Sequence, residues 1–145
     1  MKKVNAVFGG EENGGLIFPE HQYCRDSAMT IAKMLELLAK EKRPLSEMIS
    51  ELPRYELIKI KLHCPNDKKD KVLSMIKERV KKESEVKKVD ETDGIKIYTE
   101  EGWVLVRPSG TEPIFRIFAE SKDRDKAERL VEKYKELLEE MVRVA

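Results

Sequence analysis

Residues 94–121 read GIKIYTEEGWVLVRPSGTEPIFRIFAES, and how this stretch is parsed decides the fold. GIKIYT, WVLVR and IFRIFAES are short runs rich in β-branched and aromatic residues, bounded by glycine and acidic residues. Glu100-Glu101-Gly102 separates the first two, and Asp93-Gly94 separates the first from VKKVD at 86–90. Both separators are hairpin-turn sequences, so the pattern predicts an antiparallel meander to which IFRIFAES adds a further strand. The last connection is of another kind. A hairpin uses roughly two to five turn residues, and nothing about reversing a chain asks for an arginine on each side of a hydroxyl-rich loop.

Working outward, YELIKIKLHC (55–64) alternates, with Ile58, Ile60 and Leu62 on one face and Lys59, Lys61 and His63 on the other. That is a strand with one wet side. Val72, Leu73, Ile76 and Val80 make a helical stripe. After IFRIFAES, Asp123 can cap a final helix on which Ala127, Leu130, Val131, Tyr134, Leu137, Leu138 and Met141 recur at three- and four-residue steps. Residues 54–145 therefore read as β-α-β-β-β-α, an α+β domain with an antiparallel sheet and two helices on one face.

The N-terminal part reads differently. VNAVF (4–8) is expected to be a short buried strand, GGEENGG (9–15) a glycine-rich loop, and RDSAMTIAKMLELLAKEK a helix capped by Asp26. Ala28, Ile31, Ala32, Leu35, Leu38 and Ala39 form one broad apolar face. One strand and one helix cannot bury that face between them, so it calls for a partner sheet or another subunit. Pro44 and Pro53 bracket a short helical segment, 46–52, the natural boundary. The organisation expected is 1–43 as a strand-loop-helix remnant of an α/β domain, 44–53 as linker, and 54–145 as the C-terminal domain.

Composition narrows the classes. The chain has 145 residues, 40% hydrophobic and 39% charged, with 29 Lys and Arg against 28 Asp and Glu. A formal charge of +1 supplies no global field for nucleic acid or an anionic membrane. No apolar run approaches the roughly 18 residues of a spanning helix, and MKKVNAVFGG lacks the apolar segment of a secretory signal; a cytoplasmic location is expected. Cys24 and Cys64 have no CxxC spacing and are expected to be buried thiols.

The loop at 107–116 has the chemistry of a phosphate site. A phosphate monoester carries nearly two charges and several acceptor oxygens, so it calls for converging N–H and O–H donors and permanent positive charge. Ser109, Gly110 and Thr111 offer amides and hydroxyls. Gly110 lets the backbone adopt positive φ and approach a ligand closely, so that successive amides can form an anion-binding nest. Arg107 and Arg116 can grip the anion from two sides with planar forks, and Glu112 can hold one of them in place. In FGGEENGGLIF, the carboxylates and amide of Glu11, Glu12 and Asn13 suit sugar hydroxyls. That loop lacks the Lys-Ser/Thr of a P-loop and the GxGxxG spacing of a dinucleotide site.

GGEENGG followed about a hundred residues later by RPSGTEPIFR resembles the C-terminal part of the α-D-phosphohexomutases, the family of phosphoglucomutase, phosphomannomutase and phosphoglucosamine mutase, and most of all its archaeal-type members. The resemblance covers nearly the whole chain: the end of the third domain and then the fourth, a TBP-like domain. It implies reversible phosphoryl transfer between the 1- and 6-positions of a hexose phosphate, through a phosphoserine and a sugar bisphosphate. Arg107, Ser109, Gly110, Thr111 and Arg116 would bind the phosphate that is not reacting, and Glu11 and Asn13 the sugar hydroxyls. Three positions depart from the family: Asn13 stands for a usual Ser, Gly15 for a His found in some members, and Ser27 for a common Gly. No general base is carried over. The family's serine loop and its magnesium loop, resembling D-G-D-x-D-R, are absent; the nearest approach is DRD at 123–125. No catalytic or metal-binding residue is therefore assigned, the Mg²⁺ implied for the full-length enzyme has no place here, and the chain alone is expected not to turn over. Its partners would be a hexose phosphate or bisphosphate, with the missing N-terminal domains or a second copy on the 26–41 helix. Two alternatives stay open: a stand-alone phosphosugar- or phosphate-binding module, and a non-catalytic oligomerising chain.

Overall fold

The computed structural model describes residues 1–11 and 13–145; Glu12, one of the acceptors expected in the glycine-rich loop, lies outside the described residues. The chain divides into two compact units, Met1–Pro53 and Arg54–Ala145.

In the first unit VNAVF does not form a buried strand. A 3-10 turn spans Lys2–Val4, and Val4, Val7 and Phe8 are all exposed. Strand formation by so short a run depends on an apolar surface to cover it, and Val4 and Val7 are left 73% and 88% exposed. The glycines themselves pair instead: β1 (Gly9–Gly10) lies antiparallel to β2 (Leu16–Ile17) in a small hairpin. Helix α1 (Ser27–Glu41) starts where expected, because the Asp26 carboxylate accepts a hydrogen bond from the Met29 amide at 2.9 Å. His21 Nδ1 at 2.6 Å and Gln22 Nε2 at 2.9 Å converge on the other Asp26 oxygen. The Met29 amide first, and then the His21 contact, hold this carboxyl below the usual aspartate range. The apolar face of α1 has no cover within the unit: Ile31 and Leu35 are 62% and 61% exposed. Helix α2 (Leu45–Ser50) follows Pro44, slightly earlier than the 46–52 expected. Cys24 is exposed, contrary to expectation, while Cys64 of the second unit is buried.

The second unit carries the core. Its strands are β3 (Glu56–His63), β4 (Lys88–Asp90), β5 (Ile95–Tyr98), β6 (Trp103–Pro108) and β7 (Ile114–Ser121). They form one antiparallel sheet in the order β3-β7-β6-β5-β4. Helices α3 (Lys69–Val80) and α4 (Arg124–Val144) complete it. The observed order is β-α-β-β-β-β-α; every run read as a strand in 54–145 forms one, VKKVD included as β4, and the expected string β-α-β-β-β-α left one of those five runs uncounted. One sheet face presents Ile95, Ile97, Val104, Val106, Phe115, Ile117 and Ala119, all fully buried, to Val72, Ile76, Val80, Leu130, Tyr134 and Leu138 of the helices. The period-2 and period-3.6 patterns thus interlock in a single core. Asp123 caps α4 by accepting from the Lys126 amide at 3.1 Å. The other sheet face is mixed and half-exposed: Leu105 and Phe118 lie on it beside the cations Lys61, Arg107 and Arg116.

Candidate anion-binding site

Sheet register brings the two arginines together. Arg107 on β6 and Arg116 on β7 are direct cross-strand partners, and Lys61 on β3 is the partner of Arg116 on its other side. Three cations therefore stand in a row across the open face. Like charges directly opposite one another destabilise a sheet, and two carboxylates offset them. Asp93 Oδ2 meets Arg107 Nε at 2.9 Å. Glu112 meets Arg116 at 3.0 Å through one oxygen and Lys61 at 3.4 Å through the other. The Arg116 hydrogen bond, and then the Lys61 charge, hold the Glu112 carboxyl below the usual glutamate range. Three cations against two anions leave one positive charge in excess. Arg116 Nε is buried and donates to nothing among the described residues, so the guanidinium has unused capacity.

The loop between these strands is internally braced. Ser109 is buried, and its hydroxyl oxygen accepts from the Glu112 amide at 3.2 Å and, more weakly, from Thr111 at 3.5 Å. Its own amide donates to the Ile114 carbonyl at 2.9 Å. The Gly110 amide has no partner among the described residues. Arg107, Pro108, Ser109, Gly110, Thr111 and Arg116 line one open cavity of about 300 Å³. One expectation is corrected here: Gly110 does not take positive φ. A Cβ at this position would meet nothing within 4 Å, so neither backbone conformation nor crowding requires glycine here. The positive-φ glycine near the site is Gly94, at φ 77°, where the turn beside Asp93 packs against β6.

Glu11 and Asn13 belong to the other unit. Glu11 pairs with Arg25 at 3.2 Å, and the Asn13 side-chain oxygen accepts from the Gly15 amide at 3.2 Å. Both are exposed acceptors in the β1–β2 hairpin. Sequence reasoning assigned no site role to Lys61, Lys69 or Asp93. Lys61 sits on the wet side of an alternating strand, as solvated lysines do; register with β7 is what sets it beside Arg116.

Comparison with known proteins decides the family. Residues 60–137 match the phosphoglucomutase/phosphomannomutase C-terminal domain, and residues 1–55 match the alpha/beta/alpha domain III of the same proteins. The chain belongs to the phosphoglucomutase/phosphomannomutase family. A phosphoglucomutase/phosphomannomutase of Thermococcus kodakarensis is 48% identical over 139 residues, which is 96% of this chain and 30% of the relative. A probable phosphoglucosamine mutase of Methanopyrus kandleri is 35% identical over 142 residues, 98% of this chain and 31% of the relative. The chain thus spans under a third of the length of these relatives. The crystal structure of a family protein from Burkholderia thailandensis, 22% identical, matches 97% of this chain and 29% of that one with a TM-score of 0.78; the two share a fold. No helix among the described residues is long and apolar enough to cross a membrane. Nor does any group of three or more His, Cys, Asp or Glu side chains among them come together in a way that could hold a metal ion.

Proposed function

We propose that the cavity at the β6–β7 loop holds the non-reacting phosphate of a hexose phosphate or bisphosphate during reversible 1-/6-phosphoryl transfer. The observation that carries this reading is the direct opposition of Arg107 and Arg116 over one open cavity, an arrangement that a dianion would relieve. The free Gly110 amide supplies a further donor. Within the same reading, Glu11 and Asn13 accept from sugar hydroxyls. In this reading the phosphoserine that donates the phosphoryl group lies in the part of the relatives that the chain does not match, and the described residues contribute binding. The uncovered apolar face of α1 supports a partner that carries those other domains.

Titrating glucose 6-phosphate into ¹⁵N-labelled chain tests the reading. The amides of Ser109, Gly110 and Thr111 are expected to shift. In Arg107→Ala the affinity should fall about 10- to 100-fold, the effect of losing charge-assisted hydrogen bonds. Unmoved loop amides in the parent chain would reject the phosphate role. A mutase assay of the chain alone should read zero, and activity should appear on adding a second chain that bears the serine and metal loops. Failure of every such mixture would leave simple phosphosugar binding as the better description.

A further inference from the structure

Behind the loop lies a lysine that neither composition nor spacing marks out. Lys69, the first residue of α3, is only 8% exposed. Its ammonium donates to the Ser109 carbonyl at 2.7 Å and to the Glu112 carbonyl. Among the described residues it has no carboxylate partner. A buried ammonium is ordinarily neutralised by an acid, because removing the charge from water is expensive; here it is met by carbonyl dipoles alone. The same brace extends to the Cys64 amide, which donates to the Pro113 carbonyl at 2.9 Å. Carbonyls at Ser109, Glu112 and Pro113 are thus all engaged by donors from the 64–69 segment.

We infer that Lys69 is a positioning residue for the anion site. Resting on the phosphate reading above, the inference says how the loop comes to be selective for an anion. A carbonyl oxygen carries partial negative charge, so any carbonyl turned toward the cavity would repel phosphate. By drawing the carbonyls on either side of Gly110 and Thr111 onto one ammonium, Lys69 commits the loop's negative ends to its inner side. The lysine touches no ligand, since it does not line the cavity. It acts through the loop and adds a buried positive charge that no acid cancels.

The test uses the full chain and inorganic phosphate as the probe, followed by amide shifts of Gly110 and Thr111. Lys69→Met keeps an unbranched apolar stem for the core and removes the donors. Its phosphate affinity should drop at least tenfold while the shifts of β5, β6 and α4 stay in place, and Lys69→Arg should recover part of the loss. Equal binding by parent and Lys69→Met overturns the inference and leaves the phosphate reading intact. No response in the parent chain overturns the phosphate reading, and the inference with it. Should Lys69→Met not fold, the parent chain still decides: the Lys69 side-chain ¹⁵Nζ signal should be protected from exchange and move on phosphate addition, and a static signal counts against the role.

Discussion

Gly94 and Glu112 show what single residues do for the site. A Cβ on Gly94 would meet the Val106 carbonyl oxygen at 2.3 Å and Arg107 Cα at 2.9 Å, and φ there is 77°. Gly94→Ala should therefore destabilise the second unit by roughly 1–3 kcal/mol, the usual cost of holding a side chain in strained backbone. It should also displace Arg107 and weaken phosphate binding. Urea unfolding together with the amide titration reads both effects, and unchanged stability would contradict the crowding at this turn. For Glu112 the prediction concerns pH. Its folded-state pKa is depressed by Arg116 and Lys61, so the tie supports the fold above the ordinary glutamate pKa of about 4.3 and fades as pH falls through the depressed value. A carboxyl ¹³C titration should place Glu112 below the exposed glutamates, and Arg116→Ala should return it toward them. Arg107, Ser109, Gly110, Thr111 and Arg116 were legible in sequence because hydroxyls, glycine and paired arginines have little other reason to share a loop. Lys69 was illegible: its partners lie 40 and 43 residues away, and its own neighbours look like an ordinary basic helix start.

At the scale of elements, the helices and most strands follow from period and caps. Asp123 and Asp26 announce α4 and α1 because a side-chain oxygen at the N-cap satisfies an amide that the helix cannot. Asp123→Ala should cost about 1 kcal/mol, seen as a fall of roughly 4–8 °C in the thermal midpoint of a domain this size. A negligible change would mean that packing of the α4 stripe alone holds the helix start. VNAVF shows where the same logic stops. Its composition favours a strand, but strand propensity measures fit to a covered, pleated surface, and the residues around Val4 and Val7 provide no such surface. VKKVD, read as the first strand of the meander, forms the three-residue edge strand β4.

For the whole molecule the contrast between the two units governs behaviour. Every buried apolar side chain among the described residues lies between Cys64 and Met141, and among the described residues of the first unit only Asp26 is buried. With no apolar side chain fully buried among its described residues, a unit of 53 residues has little to set against chain entropy. Amide exchange should accordingly be fast throughout α1 and slow in β6 and β7, with unfolding in more than one step. Slow, cooperative exchange in α1 would mean that its apolar face is covered in solution, and concentration dependence of that protection would point to a second copy.

What the sequence by itself determined was the local grammar of the chain: the alternating strands, the two capped helices, and a loop whose residue types suit a dianion. Those properties depend on neighbours a few positions apart, which a linear reading can see. Tertiary structure alone decided that Arg107 stands directly opposite Arg116, that Lys61 extends their row, and that Lys69 braces the loop from within. Strand register and the docking of α3 join residues far apart in the chain, and the strength of a charge depends on what those distant parts place beside it.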